Sequence, residues 1–289
     1  MSTPIPAGLP VFRPSGRVSF VGLLVGAAAA VAGATFLAPV YAYGVIYVPI
    51  AQISVVLTAA YGAMVGGITA GIMQRFHVRN RWVIIASALT FCGYAWFVQW
   101  FPWLYGTLTR FEVEFSGLDL LNPFFLASAL STIYEEGTWT LGHSSSSGAV
   151  SGLFLGFIWV LEFLTLVGTG VGIAWTMTAD KVFCERCTSW CKVAPRLRAI
   201  DVVEGRGLRE ALRDRGDVEA LAKAANTTSA DNFVLVKAAW CGCGETNVVA
   251  LDEVRVSTDS KGRRTENLTS LLPFHLVPQL EMDRLRGGS

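Results

Sequence analysis

Five of the six cysteines in this chain lie beyond position 183. Cys184, Cys187 and Cys191 fall in the run FCERCTSWC, and Cys241 and Cys243 in CGCG. Two close pairs of thiols separated by a spacer can converge on one metal ion as a four-thiolate tetrahedron. A short turn aims both sulfurs of a pair at one centre, and Zn²⁺ accepts soft thiolates without redox change. Cys184, Cys187, Cys241 and Cys243 are therefore the expected ligands of one structural Zn²⁺, with Cys191 as a fifth thiol able to replace one of them. Three other uses of the same residues compete. Disulfides need an oxidising compartment and would leave one of the five unpaired. Redox chemistry at the C-x2-C pair would draw on Arg186 and Lys192 to lower a thiol pKa. Four thiolates also hold iron–sulfur clusters. Cys92 stands apart in an apolar run and reads as buried filler.

The pattern resembles a zinc ribbon, with Cys184 and Cys187 as one knuckle and Cys241 and Cys243 as the other. The resemblance covers the cysteines and the segments beside them and implies a small fold stapled by metal. It departs from the ribbon pattern in its second pair, which is C-x-C, and in the 53 residues between the pairs. NFVLVKAAW and NVVALDEVRVS, on either side of CGCGET, read as strands rich in β-branched residues. A turn at DSKG returns the chain through RRTENLTSLLPF. Between the cysteine pairs, PRLRAIDVVEGRGLREALRDRGDVEALAKAAN places Leu208, Leu212, Val218 and Leu221 at helical spacing. Gly205, Gly207 and Gly216 should break it into two or three short helices.

This domain, 181–289, is attached to a very different segment. Of 289 residues, 52% are hydrophobic and 16% charged, with a mean hydropathy of +0.47. Residues 1–180 hold six arginines, no lysine and seven acids; the other 17 basic and 15 acidic groups follow. Four runs, about 18–39, 50–73, 82–104 and 149–177, are long enough to cross a bilayer, which takes about 20 apolar residues. The expected fold is thus an all-α membrane bundle of four helices, 18–180, joined to a small cytosolic α+β domain resembling a zinc ribbon. A polar tail, 1–17, precedes it and shows no cleavage site of a signal peptide.

Arg13 and Arg17, then Arg75, Arg79 and Arg81, then Lys181, Arg186 and Lys192 flank alternate ends of the runs. Basic residues mark the cytoplasmic side, so a multi-pass protein of the cell membrane with both termini in the cytoplasm is expected. Tyr41, Tyr43 and Tyr47 would sit around the first outer loop and Trp96, Trp100, Trp103 and Tyr105 at the outer end of the third span, as interfacial anchors. Gly62-x3-Gly66, Gly67-x3-Gly71 and Gly152-x3-Gly156 allow close helix approach, within the bundle or between copies in a homo-oligomer.

The second outer connection contains NPFFLASALSTIYEEG. Asn122 is placed to cap, Pro123 to open and Gly137 to end a helix over about 123–136. Phe125, Leu126, Ala129, Leu130 and Ile133 share its apolar side, so it should lie on the outer leaflet or cap the bundle. Glu135 and Glu136 end it against the macrodipole, and with His143 they form a candidate for a metal or proton site. Glu162 lies deep in the fourth run, where an ionisable group faces the bundle interior or a water-filled cavity. It would serve either as polar glue, with Gln52, Gln99, Thr58, Thr69 or Thr90 as neighbours, or as a proton or cation relay.

The nucleotide-loop, metalloprotease and Ser-elbow motifs are not found in the sequence, and a net charge of +1 gives no reason to expect nucleic acid. The leading expectation is a non-enzymatic module displayed on a lipid-embedded anchor to bind a cytosolic protein or to signal. A transporter or pore built on Glu162 and a membrane thiol-redox protein are the alternatives.

Overall fold

The computed structural model describes residues 8–48, 51–137, 150–227 and 231–287. The chain divides into two compact units, Ser15–Ala179 and a second that combines the segment up to Pro14 with Asp180–Ser289.

The first unit is helical. α1 (Phe20–Tyr47) starts at Ser19, whose hydroxyl accepts from the Gly22 N–H at 3.1 Å. α2 (Ala51–Arg75), α3 (Arg81–Val98), α4 (Trp100–Arg110), α5 (Pro123–Glu136) and α6 (Gly152–Thr178) follow. Four helical stretches are long and apolar enough to cross a membrane: α1, most of α2, the α3–α4 pair and α6. α3 and α4 form one stretch with a fault at Gln99. Pro102 explains the fault, because it has no N–H to return to the Val98 carbonyl. This stretch runs on to Arg110, beyond the 104 expected for the third span.

α1 likewise continues through Pro39 to Tyr47. Neighbouring helices can re-satisfy the group a proline frees, which is why proline is tolerated in apolar spans. Tyr41, Tyr43 and Tyr47 are therefore helical residues and not parts of an outer loop. α1 buries Gly22, Gly26, Ala30, Ala34, Ala38 and Ala42, one small residue every four positions. Such a ridge lets a neighbour approach closely.

The tightest approach is between α2 and α6. A β-carbon added to Gly62 would fall on the Leu166 carbonyl, and one added to Gly66 on the Gly170 carbonyl. The first glycine motif is thus used inside the chain.

Hydrogen bonds sort the helix ends. The Arg79 N–H donates to the Arg17 carbonyl at 2.9 Å, and Gln74 Nε2 to the Met177 carbonyl at 2.9 Å. The start of α1, the end of α2, the start of α3 and the end of α6 therefore share one end of the unit. At the other end, Arg110 Nη1 donates to the Ile46 carbonyl at 3.0 Å, near the C-terminus of α1. α5 is capped by Asn122, which accepts from Phe124 N–H, and stops at Gly137 with φ 78°. Its apolar side packs on Leu104, Leu120, Val150 and Leu155.

The second unit contains a four-stranded antiparallel sheet in sequential order, β3 (Lys192–Ile200), β4 (Asn232–Trp240), β5 (Asn247–Thr258) and β6 (Arg264–Leu276). A small hairpin, β1 (Phe183–Cys184) with β2 (Ser189–Trp190), precedes it. α7 (Val202–Glu210), α8 (Val218–Lys223) and α9 (Gln279–Gly287) accompany the sheet. Leu208, Leu212, Leu221, Met282 and Leu285 pack with Val234, Val236, Val249 and Leu251 in one buried core.

β3 differs from the sequence expectation, which runs helix from 195. Its pairing with β4 is interrupted between Ala194 and Arg198. Pro195 lies in that irregularity, where an edge strand tolerates a residue without an N–H. Past the bulge, the Arg198 guanidinium is buried and donates to the Leu221, Ala222 and Ala224 carbonyls, satisfying the end of α8. The N-terminal segment also joins this unit: Phe12 N–H donates to the Phe274 carbonyl and Leu276 N–H to the Pro10 carbonyl, both at 2.8 Å.

On the face of β4 opposite that core, Lys237 Nζ lies 2.8 Å from Asp180 and 2.6 Å from Asp252. Burial opposes its charge, but these two carboxylates outweigh it and hold its pKa above the usual lysine value.

Gly66→Val should lower the thermal midpoint of the detergent-solubilised protein, since overpacking costs about 1–3 kcal/mol. Gly168→Val should leave it unchanged, because open space surrounds Gly168. Equal midpoints for the two variants would show that the α2–α6 approach does not limit stability.

Candidate metal centre

Two turns bring the thiols together. The first joins β1 to β2 and carries Cys184 and Cys187; Thr188 completes it in the left-handed region, φ 48°. The second joins β4 to β5 at Cys241–Gly244. Its Cys241 N–H donates to the Thr246 carbonyl at 2.9 Å, and its Gly244 N–H to the Cys241 carbonyl at 3.1 Å. Gly244 has φ 75°, and a β-carbon there would also press on the Gln279 side chain at 2.7 Å. Asn247 braces the turn from below, with Nδ2 donating to the Gly244 carbonyl at 2.7 Å and to Gln279 Oε1 at 3.0 Å.

The ladder between β3 and β4 sets the two turns side by side. Its terminal pair is Lys192 with Trp240, so the residues just outside it are Cys191 and Cys241. The four sulfurs of Cys184, Cys187, Cys241 and Cys243 all lie within 4.8 Å of one another. Individual separations are 2.7 Å for Cys187–Cys241, 3.3 Å for Cys241–Cys243 and 3.5 Å for Cys184–Cys243. Four sulfurs about 2.3 Å from a central Zn²⁺ would stand about 3.8 Å apart. These three separations are shorter than that value, and all six lie within 4.8 Å, close enough for the four sulfurs to hold one ion. All six cysteines are free thiols.

The four thiols differ in access and character: Cys184 and Cys241 are buried, Cys187 and Cys243 exposed. Burial pushes the Cys184 thiol up, yet hydrogen bonds from Thr246, Cys187 and Cys241 outweigh it and bring it down to about 6. Cys184 is nevertheless 0% exposed, and a reactive thiolate needs access to its target. Cys241 is pushed up to about 12, by burial first and then by Cys187. Thiols of such different character in one cluster share protons, and a metal would displace those that remain. Arg186 spans the two turns: its Nη1 meets Glu245 Oε2 at 2.9 Å, and it also feels the charge of Cys243 and Cys184.

Cys191 lies outside the group of four. It is buried, its Sγ is 3.9 Å from the Thr246 carbonyl, and burial with the nearby Cys184 charge raises its pKa to about 12. It packs with Val182, Ala239 and Val248 in a small core under the turns. Arg186 was singled out from the sequence only as a cation beside the thiols; its partner Glu245 and Thr246 were not. The one available signal was their position beside the second cysteine run.

The remaining candidates are placed separately. Glu135 and Glu136 are exposed at the end of α5 and join no metal-sized cluster among the described residues. His143 lies outside the described residues. Glu162 accepts a short hydrogen bond from the Tyr41 hydroxyl, which also lies 3.1 Å from Thr58 Oγ1. That chain of contacts ties α6, α1 and α2 together. Of the neighbours expected for Glu162, Thr58 belongs to this chain, whereas Thr69 and Thr90 bond to carbonyls of their own helices. The side chain of Gln52 lies outside the description. Tyr41 was the missed residue.

Comparison with protein-family models, curated proteins and solved structures finds no match.

Serine at Cys184, Cys187, Cys241 or Cys243 should abolish stoichiometric metal retention, while Cys191→Ser retains it. Metal content per chain after gel filtration is the measurement, and metal loss in Cys191→Ser alone would reassign the ligand set. In the helical unit, Tyr41→Phe should cost about 0.6–1.7 kcal/mol, the range for side-chain bonds within a bilayer. Glu162→Gln should cost less, since an amide still accepts the bond. Unfolding in mixed micelles checks the order, and a larger loss for Glu162→Gln than for Tyr41→Phe would defeat the glue assignment.

Proposed function

We propose that this chain is a multi-pass membrane protein that displays a zinc-stapled cytosolic module to a protein partner, for binding or signalling. The observation that carries this reading is the convergence of Cys184, Cys187, Cys241 and Cys243 on two turns, one in the β1–β2 hairpin and one between β4 and β5 of the sheet. Four thiolates complete a tetrahedron and leave no open position for a substrate, which is the pattern of a structural zinc and not of a catalytic one. The metal then stabilises the surface that surrounds it, and recognition falls to that surface.

The helical unit supports the anchoring half of the proposal. Its four long apolar stretches suit a bilayer, and Arg17, Arg75, Arg79 and Arg81 gather at one end of it. By the positive-inside rule that end faces the cytoplasm. An even number of spans then leaves both termini on that side, where thiols stay reduced and free to ligate. The hydrogen bond from Tyr41 to Glu162 supports an internal tie between helices over a relay, which would need a second titrating group along its path.

Elemental analysis of protein purified without added metal should give one zinc per chain and no stoichiometric iron. Iron with visible absorbance would replace the reading with a cluster. A cysteine introduced at Lys261 should resist a membrane-impermeant maleimide in intact cells and react in inverted vesicles. Reaction in intact cells would place the domain outside and revive disulfide chemistry.

A further inference from the structure

We infer that the basic end of the helical unit carries a binding site for a phosphate-bearing anion, met most completely by the headgroup of an anionic lipid. The site is built from the start of α1 and the turn between α2 and α3. A cavity of about 450 Å³ is lined by Ser19, Val21, Arg75, Phe76 and His77. A second, of about 310 Å³, shares Ser19 and His77 and adds Arg17, Val18 and Arg79. The first lies within the size range of small-ligand sites.

Three features give the cavities their chemistry. The first is charge. Residues 1–111 contain no aspartate or glutamate, and the lining of the two cavities holds three guanidinium groups, those of Arg17, Arg75 and Arg79. Guanidinium groups bind phosphate oxygens in paired fashion.

The second is order. The Arg79 N–H to Arg17 carbonyl bond joins the two segments, and the Asn80 side chain accepts from the Trp82 and Val83 N–H groups as α3 begins. The cationic side chains therefore project from a fixed frame.

The third is the mixed lining. Val18, Val21 and Phe76 are exposed beside the arginines. A free phosphate has no use for apolar neighbours. A phospholipid does, because its phosphate sits at the polar boundary and its glycerol and acyl chains continue into the apolar layer. Basic pockets between spans on the cytoplasmic side hold anionic lipid headgroups in just this way. α1 adds its N-terminal dipole, which favours negative charge there, and Arg81 stacks 3.6 Å over the Trp175 ring at the same end.

The inference rests on the membrane reading above, but the two fail differently. A chain that stays soluble and monodisperse without detergent would remove the membrane reading. The lipid site is tested by native mass spectrometry of the full chain in detergent, offered equal amounts of short-chain phosphatidylglycerol and phosphatidylcholine. Phosphatidylglycerol should be retained selectively, and its binding should weaken as salt rises. Arg75→Gln should reduce retention about fivefold, the effect of one cation near an anionic surface. Arg75→Lys should restore most of it, and Arg110→Gln, at the opposite end, should change nothing. Displacement of phosphatidylglycerol by inorganic phosphate would support the same site with a free anion as occupant; failure to displace it would support the lipid. Equal retention of the two lipids by the unaltered protein, or salt-independent binding, would overturn the proposal even if the Arg75 variants do not fold.

Discussion

The register between β3 and β4 is the constraint on which the cysteine domain depends. Lys192 pairs with Trp240 and Val193 with Ala239, and these pairs fix the distance between a hairpin that precedes β3 and a turn that follows β4. A slip of one residue would send alternate side chains to the opposite face. It would part the two turns and would also take Val234, Val236 and Ala238 out of the core beneath α7 and α8. The thiol cluster and the hydrophobic core are thus two consequences of one alignment. The irregularity at Ala194–Arg198 lies within this ladder, and beyond it Arg198 reaches the end of α8. The ladder therefore holds the helices between the cysteine pairs as well as the pairs themselves, which is how 53 intervening residues fit into a compact site.

The curl of the sheet follows from the same irregularities. β3 and β6 are opposite edges in the strand order, yet Arg196 Nη2 meets Glu266 Oε2 at 2.5 Å. A flat sheet could not bring those residues together. The register also shifts twice in β5–β6, near Leu251, and such bulges bend strands and increase their twist. The N-terminal residues Pro10 and Phe12 cover the outer edge of β6 near Phe274, shortening the open edge that would otherwise invite pairing with other chains.

What could be read from the sequence divides along physical lines. The cysteine pairs, β4 to β6 and the apolar helices declare themselves locally, through ligand spacing, β-branched runs and length. The cap at Asn122, the proline after it and the left-handed Gly137 are local signals too. β3 is different, because Pro195 and two arginines interrupt its alternation and its pairing is decided by β4, some forty residues on. Cys191 could be separated from the four clustered thiols only once the ladder showed that it points into the small core. Tyr41 is the clearest case. A tyrosine near the end of an apolar run suits an interface or a buried hydrogen bond equally well, since it has an apolar body and a polar tip. What decides between them is a carboxylate 121 positions away.

The pairing of Tyr41 with Glu162 also shows how the helical unit divides its labour. In the bilayer proposed for this unit the lipid chains are as apolar as the side chains, so no hydrophobic gain would draw one helix to another. Association must come from close packing and from polar contacts. The glycines of α2 and the small ridge of α1 supply the first, since removing side chains lets backbones meet. They give little specificity, because a smooth ridge can slide along its groove. A hydrogen-bonded carboxylate can be satisfied in only a few positions and is costly to leave unmet. Glu162 with Tyr41 and Thr58 fixes where α6 stops along α1 and α2, and Tyr61, donating to the Ala34 and Ala95 carbonyls, does the same for α1 and α3. The polar residues set the register that the small residues make close.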